Sequence, residues 1–292
     1  MVTHARKELC RSSRGLDALK AYWEILRPFN CAMAAVAAII GLAIAGGLEP
    51  AATALIFLTV FLITGAGNAV NDYYDRQIDA INRPGRPIPS GRIAPRTALH
   101  YSLALFAAGC LLAGLVNAIC MIVAAFNSTL LFLYARKLKA TPLAGNICVA
   151  FLTGSTFLFG GAAAGTAGLM ANRIPFALSF LISMSREIAK DIEDMAGDIA
   201  GGARTLPIIA GERASAGLAA AFALAAVASS FFAPFGRMYL IIVVVADLFF
   251  MISVWMIVKG DASGAQKALK KGMAVALVGF LAGAGAFFLS DF

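Results

Sequence analysis

The chain has 292 residues, 60% of them hydrophobic and only 14% charged, with a mean hydropathy of +0.82. A soluble domain carries about a quarter charged residues, so the composition excludes an ordinary soluble protein. The net charge of +8 calls for no nucleic acid, because basic residues also mark the cytoplasmic loops of membrane proteins.

Apolar stretches of about 20 residues recur along the chain, each long enough to cross a hydrocarbon core of about 30 Å. Backbone polar groups in lipid must be satisfied within their own segment, so the stretches are predicted to be helices. The pattern places nine spans at 28–47, 52–75, 96–114, 116–135, 142–162, 172–191, 213–232, 237–258 and 268–289. Pro28, Pro142 and Pro175 fall near helix starts, where a missing N–H is tolerated. The short gaps at 46–51 and 114–117 imply antiparallel hairpins. Abundant Gly and Ala permit close helix contact in lipid. Residues 1–26 are polar and basic and show no signal-peptide pattern. No polar linker divides the chain. Residues 1–292 therefore read as a single all-α integral membrane domain, with a cytoplasmic N-terminal segment at 1–26 and motif loops at about 76–95 and 192–212.

The distribution of basic residues fits that layout. Of the 24 Lys and Arg, all except Arg173 and Arg237 fall on one side of the nine-span map. The positive-inside rule makes that side cytoplasmic. The N-terminus is then cytoplasmic and, with nine spans, the C-terminus external, in a multi-pass protein of the cell membrane. Five cysteines (Cys10, Cys31, Cys110, Cys120, Cys148) form no C-x-x-C pair and mostly sit in apolar spans, as small buried side chains do. The histidines, His4 and His100, are assigned no metal.

Half of the 16 acidic residues fall in two short windows at cytoplasmic helix ends. The first holds Asp72, Asp75 and Asp79. The second holds Glu187, Asp191, Glu193, Asp194 and Asp198. Asn71, Asp75 and Asp79 are spaced i, i+4, i+8, and Asp191, Asp194 and Asp198 are spaced i, i+3, i+7, so each set is expected on one helical face. Carboxylates at a helix C-terminus oppose the helix dipole, and like charges one turn apart repel. Both effects call for a cation. Hard oxygen ligands select Mg2+ or Ca2+, and Mg2+ usually takes one or two carboxylates and completes its shell with substrate phosphates. A charged helix end that merely marks the membrane boundary would explain one such window. Two in register on the same side point to a Mg2+–diphosphate clamp. An ion pathway would place acids deeper in the bilayer, where the sequence offers only Asp247, readable as an interior structural partner or as a cavity residue.

Between the windows, "INRPGRPIPSGR" supplies Arg83, Arg86 and Arg92 on a loop stiffened by Pro84, Pro87 and Pro89, and arginine suits bidentate phosphate contacts. "YARKLKATP" brings Tyr134, Arg136, Lys137 and Lys139 to the same side. Each of these basic groups also reads as an ordinary positive-inside loop residue.

These motifs resemble those of the UbiA superfamily of intramembrane prenyltransferases. The N-D-x-x-D-x-x-x-D motif matches Asn71, Asp72, Asp75 and Asp79. The second aspartate motif matches Asp191, Asp194 and Asp198, and the aromatic-to-lysine element looks like Tyr134 through Lys139. The resemblance implies a helical bundle around a central lipid-open cavity, with Mg2+ held by those seven residues. It implies a diphosphate bound by Arg83, Arg86, Tyr134, Lys139 and Lys190, and catalytic roles for Asp75, Asp194 and Lys139. The partners implied are a polyprenyl diphosphate donor, a lipid-like acceptor and membrane lipid. "LRPFN", "SREIAKDIEDMAGD" and "RTLPIIAGER" look most like the branch that transfers a geranylgeranyl group to the free hydroxyl of geranylgeranylglyceryl phosphate, making the second ether bond of archaeal lipids. The same machinery with an aromatic or tetrapyrrole acceptor is the alternative, and a transporter with acidic gates a third. For the glyceryl phosphate reading, Lys190 either neutralises the acid row or reaches the acceptor's phosphate, and Arg27, Lys20 and Lys139 are the other basic candidates.

Overall fold

The computed structural model describes residues 17–289, with side chains through residue 284. His4, Cys10 and the final residues lie outside the described range. The described residues form helices joined by short turns. In chain order these are α1 (Asp17–Leu26), α2 (Pro28–Ile44), α3 (Pro50–Asn82), α4 (Pro95–Val116), α5 (Ala118–Arg136), α6 (Ala144–Ala162), α7 (Gly165–Ala171), α8 (Arg173–Ala200), α9 (Leu206–Ala210), α10 (Glu212–Ser230), α11 (Gly236–Val258) and α12 (Ala262–Leu289). A 3-10 turn, Leu138–Ala140, separates α5 from α6.

The expected spans appear as long helices in the expected order, and the chain is a multi-pass membrane protein. The count of crossings is less simple. Six helices, α3 to α6, α10 and α11, are individually long and apolar enough to span. Two further candidates are pairs bent at a break, α1 with α2 by 44° and α7 with α8 by 45°. The last expected span falls on α12, whose apolar part, 272–289, runs past the last residue with described side chains. Among the described residues, length and composition support six to eight crossings before α12 is counted. Two boundaries also move. The helices α3 and α8 run on past 75 and 191, because breakers arrive only at Pro84 and Gly201. Both acid rows consequently lie on helix, and the motif loops begin later than predicted.

Local chemistry sets the helix ends. The Glu49 side chain caps α3 by accepting from the backbone N–H of Ala51 at 3.1 Å and Ala52 at 2.7 Å, with Pro50 at the first helical position. Asn117 caps α5 through Cys120 N–H at 2.8 Å, and its Nδ2 donates to the carbonyls of Ala162 and Ala163 at the end of α6. One amide side chain thereby starts a helix and ties it to another. The four described cysteines are unpaired thiols.

Sequential helices pack side by side, and α12 closes the ring against α2 and α8. In lipid the contact rests on van der Waals fit rather than water exclusion, so small residues decide how close two backbones come. At the α2–α6 crossing, a Cβ on Gly160 would overlap the carbonyl of Ala38, and one on Gly41 would overlap that of Phe157. Asn172, wholly buried at the α7–α8 bend, donates to the carbonyls of Gly41 at 2.8 Å and Gly168 at 2.9 Å. Two main apolar cores result. One gathers α2, α6, α8 and α10 to α12; the other gathers α2 to α6.

Candidate active site at the cavity mouth

The ring encloses a cavity of about 680 Å³ lined by residues of α2, α3, α5, α6, α8, α10, α11 and α12. Its walls are mainly apolar, with Val60, Ile63, Leu131, Leu152, Leu178 and Phe280 among them. One end is polar, where Arg27, Asn68, Asn71, Arg186, Glu187 and Lys190 line it. Asp247 lines the cavity as well and accepts from Ser230 Oγ at 2.8 Å, so its two alternative readings hold together.

The first acid row shares one face of α3 but divides by its partners. Asn71 and Asp75 are together, Asn71 Nδ2 donating to Asp75 Oδ2 at 2.8 Å. Asp79 instead shares a partner with Asp72: Arg86 Nη1 reaches Asp72 Oδ1 at 3.1 Å and Asp79 Oδ2 at 2.5 Å. Helical geometry accommodates both pairings. At about 100° per residue, Asp79 lies about 20° from Asp72 but about 80° from Asn71. All four residues fall within an arc of about 100°, and on that face Asn71 bonds Asp75 while Asp72 and Asp79 share Arg86.

Each pair has its own cation. Asp72 is buried and also accepts from Arg27 Nη2 at 2.5 Å. Arg27 stands between α1 and α2 with φ 54, a left-handed conformation rare for a residue with a Cβ. The Lys139 ammonium forms an ion pair with Asp75. Burial pushes Lys139 down to about 8; Lys190 adds to the fall and Asp72 opposes it. Contact with Asp75 likewise favours the charged form. The lysine beside the first row thus lies within electrostatic reach of Lys190 on α8, which places the two rows across one mouth.

On α8, Asp191 Oδ2 accepts from Asn146 Nδ2 of α6 at 2.8 Å, Asp194 is exposed, and Asp198 is half-buried. Tyr134 lines the cavity. Arg83 caps the end of α3 and is exposed. Arg92 is turned away, pairing with Glu24 of α1 at 2.5 Å and donating to the Gly85 carbonyl at 2.6 Å, so it fastens the proline loop. His100 is exposed on α4. Sequence reasoning left Asn146 unnoticed and gave Arg27 no tie to the aspartates.

Among the described residues, no three His, Cys, Asp or Glu side chains are gathered as a metal cage. The donor set still fits a hard divalent ion. It consists of carboxylate and amide oxygens on two helices, and Mg2+ ordinarily needs only one or two protein carboxylates when phosphates supply the rest. The three positive partners of the first row, Arg27, Arg86 and Lys139, with Lys190 nearby, also show that the site is built for strong negative charge.

Comparison with known proteins places the chain. Residues 32–288 match the UbiA prenyltransferase family, and the chain belongs to that family. Among its relatives is the digeranylgeranylglyceryl phosphate synthase of Methanothrix thermoacetophila, 51% identical over 89% of this chain and 97% of that protein. The enzyme of the same name from Thermococcus kodakarensis is 43% identical over 90% of this chain and 97% of that protein. A solved structure described as digeranylgeranylglyceryl phosphate synthase in membranes superposes with a TM-score of 0.79 at 37% identity, covering 91% of this chain and 98% of that one. A UbiA homologue from Archaeoglobus fulgidus bound to GPP and Mg2+ shares the fold, with a TM-score of 0.63 at 17% identity over 88% of this chain and 99% of that one.

Proposed function

We propose that this prenyltransferase transfers a geranylgeranyl group from geranylgeranyl diphosphate to the free hydroxyl of geranylgeranylglyceryl phosphate. The observation that carries the reading is a mostly apolar intramembrane cavity whose polar end lies beside two helix-borne acid rows and their basic partners, in a chain 51% identical to a relative of that name. In the reaction, the bond between the prenyl C1 and the diphosphate oxygen breaks. A bond from C1 to the acceptor's hydroxyl oxygen forms, and the hydroxyl proton passes to the released diphosphate.

The residues divide this work. Asn71, Asp72, Asp75 and Asp79 on α3, with Asp191, Asp194 and Asp198 on α8, would hold Mg2+. The metal, when bound, neutralises charge on the departing diphosphate. Arg83, Arg86, Tyr134 and Lys139 bind and orient the diphosphate, Lys139 moving from Asp75 to the phosphate oxygens as they arrive. Asp75 and Asp194 are the carboxylates on which turnover depends most. Donor and acceptor chains lie in the apolar part of the cavity, where water is excluded. The basic-residue distribution supports a cytoplasmic N-terminus and an external C-terminus, which sets the acid rows on the cytoplasmic face.

The test is release of diphosphate from labelled geranylgeranyl diphosphate by purified protein, with a panel of acceptors. Product is expected with geranylgeranylglyceryl phosphate and not with 4-hydroxybenzoate, homogentisate or chlorophyllide. Product from one of the aromatic or tetrapyrrole acceptors alone would overturn the acceptor assignment and leave the prenyl transfer.

A further inference from the structure

The cations around the cavity mouth fall into two groups. Arg27, Arg86 and Lys139 are committed to the aspartates of α3, and Lys20 is exposed on α1. The second group, Arg186 and Lys190 on α8 and Lys270 on α12, also lines the cavity. Gln266 Nε2 donates to Glu193 Oε2 at 2.6 Å and pins the start of α12 to the end of α8. The helices run in opposite directions there. Lys190 precedes Glu193 by three residues and Lys270 follows Gln266 by four. Each is therefore about one turn, or about 5 Å, further into the bundle than the pin, and Arg186 lies one turn beyond Lys190.

This group is only partly paired: Asp191 and Asp198 lie within electrostatic reach of Lys190 without forming an ion pair with it. Arg186 Nη1 donates to Glu187 Oε1 at 2.6 Å, but its Nε is buried without a partner. Among the described residues neither Lys190 nor Lys270 makes an ion pair, and Asp191, beside Lys190, is turned to Asn146. Like charges gathered on successive turns repel, and a buried guanidinium N–H without an acceptor is costly. An arriving anion relieves both.

We propose that Arg186, Lys190 and Lys270 form the site for the acceptor's phosphate, leaving the aspartate rows, with their metal, to the donor's diphosphate. The proposal rests on the function read above and assigns Lys190 to the acceptor rather than to the donor. Two strongly anionic head groups must sit close together in one mouth, and separate cationic beds on its two walls let them do so. The bed on α8 and α12 would then turn the acceptor's hydroxyl toward the donor's C1.

The test is a kinetic split in Lys270→Ala, a change at an exposed side chain. Loss of one charge-assisted contact is expected to raise the KM for geranylgeranylglyceryl phosphate by about 10- to 100-fold, with the donor's KM unmoved. The preference for this acceptor over phosphate-free geranylgeranylglycerol should fall by the same factor. Lys270→Arg should retain most of it. Arg186→Gln, expected to behave as Lys270→Ala does, serves as the second variant. An unchanged acceptor KM in both, or an equal rise in the donor's KM, would overturn the inference and leave the proposed function standing. If the wild-type protein prenylates no glyceryl phosphate acceptor, the function and this inference fall together.

Discussion

Arg86 is the side chain whose removal tests the internal charge balance of the site most sharply. It serves two carboxylates at once, Asp72 Oδ1 at 3.1 Å and Asp79 Oδ2 at 2.5 Å, whose side chains are 3% and 8% exposed. In Arg86→Ala, Asp72 keeps Arg27 and loses a secondary contact, a cost of about 1 kcal/mol. Asp79 keeps no ion pair among the described residues, and stranding a buried charge costs about 3–5 kcal/mol. Arg86 itself is 17% exposed, so water screens part of the pair and the lower figure applies. The expected total is about 4 kcal/mol. Thermal unfolding in detergent with EDTA present should show a clear drop in Tm. Arg86→Ala combined with Asp79→Asn should recover most of it, because the stranded charge is gone. A double variant no more stable than Arg86→Ala would refute the reasoning, since the loss would then come from the proline loop and not from Asp79.

Three further outcomes are expected. Asp75→Ala and Asp194→Ala should each lower turnover by about 10²–10³ or more while the purified protein stays monodisperse; EDTA should abolish wild-type activity and Mg2+ restore it, and full activity in EDTA would rule out the metal clamp. Gly160→Leu should give little extractable protein, because its side chain would meet the α2 backbone at Ala38; normal yield and Tm would show that the crossing can open. A reporter fused after Phe292 should read as external, and a cytoplasmic signal would mean that the helices cross an even number of times.

The sequence made the long helices legible because lipid leaves a segment few alternatives: apolar length alone names the helix. It located both acid windows for a similar reason, since carboxylates are rare in so apolar a chain. What it could not supply was direction around and across the helices. The i, i+4, i+8 spacing put Asn71, Asp75 and Asp79 on one face, but it did not show that Asp79 shares its cation with Asp72. Arg27 and Asp72 are 45 residues apart, as are Asn146 and Asp191, and no local pattern announces such pairs. Asn146 had a faint signal, a lone amide in the first turn of an apolar helix. Lys270 had none, because it sits among lysines that topology already explains.

The length of α3 also governs where the products go. Its 33 residues reach about 50 Å, while the hydrocarbon core is about 30 Å thick. A helix so placed that its apolar part fills the core lifts its last dozen residues into the head-group layer, and those are the residues that carry the aspartates. Bond breaking is thus set at the shoreline between lipid and water. Diphosphate can depart into the aqueous phase, while a product bearing two long chains can leave only sideways into the bilayer. Two exits to two solvents keep the products from meeting again, so hydrolysis of diphosphate in the water alone would be enough to draw the reaction forward.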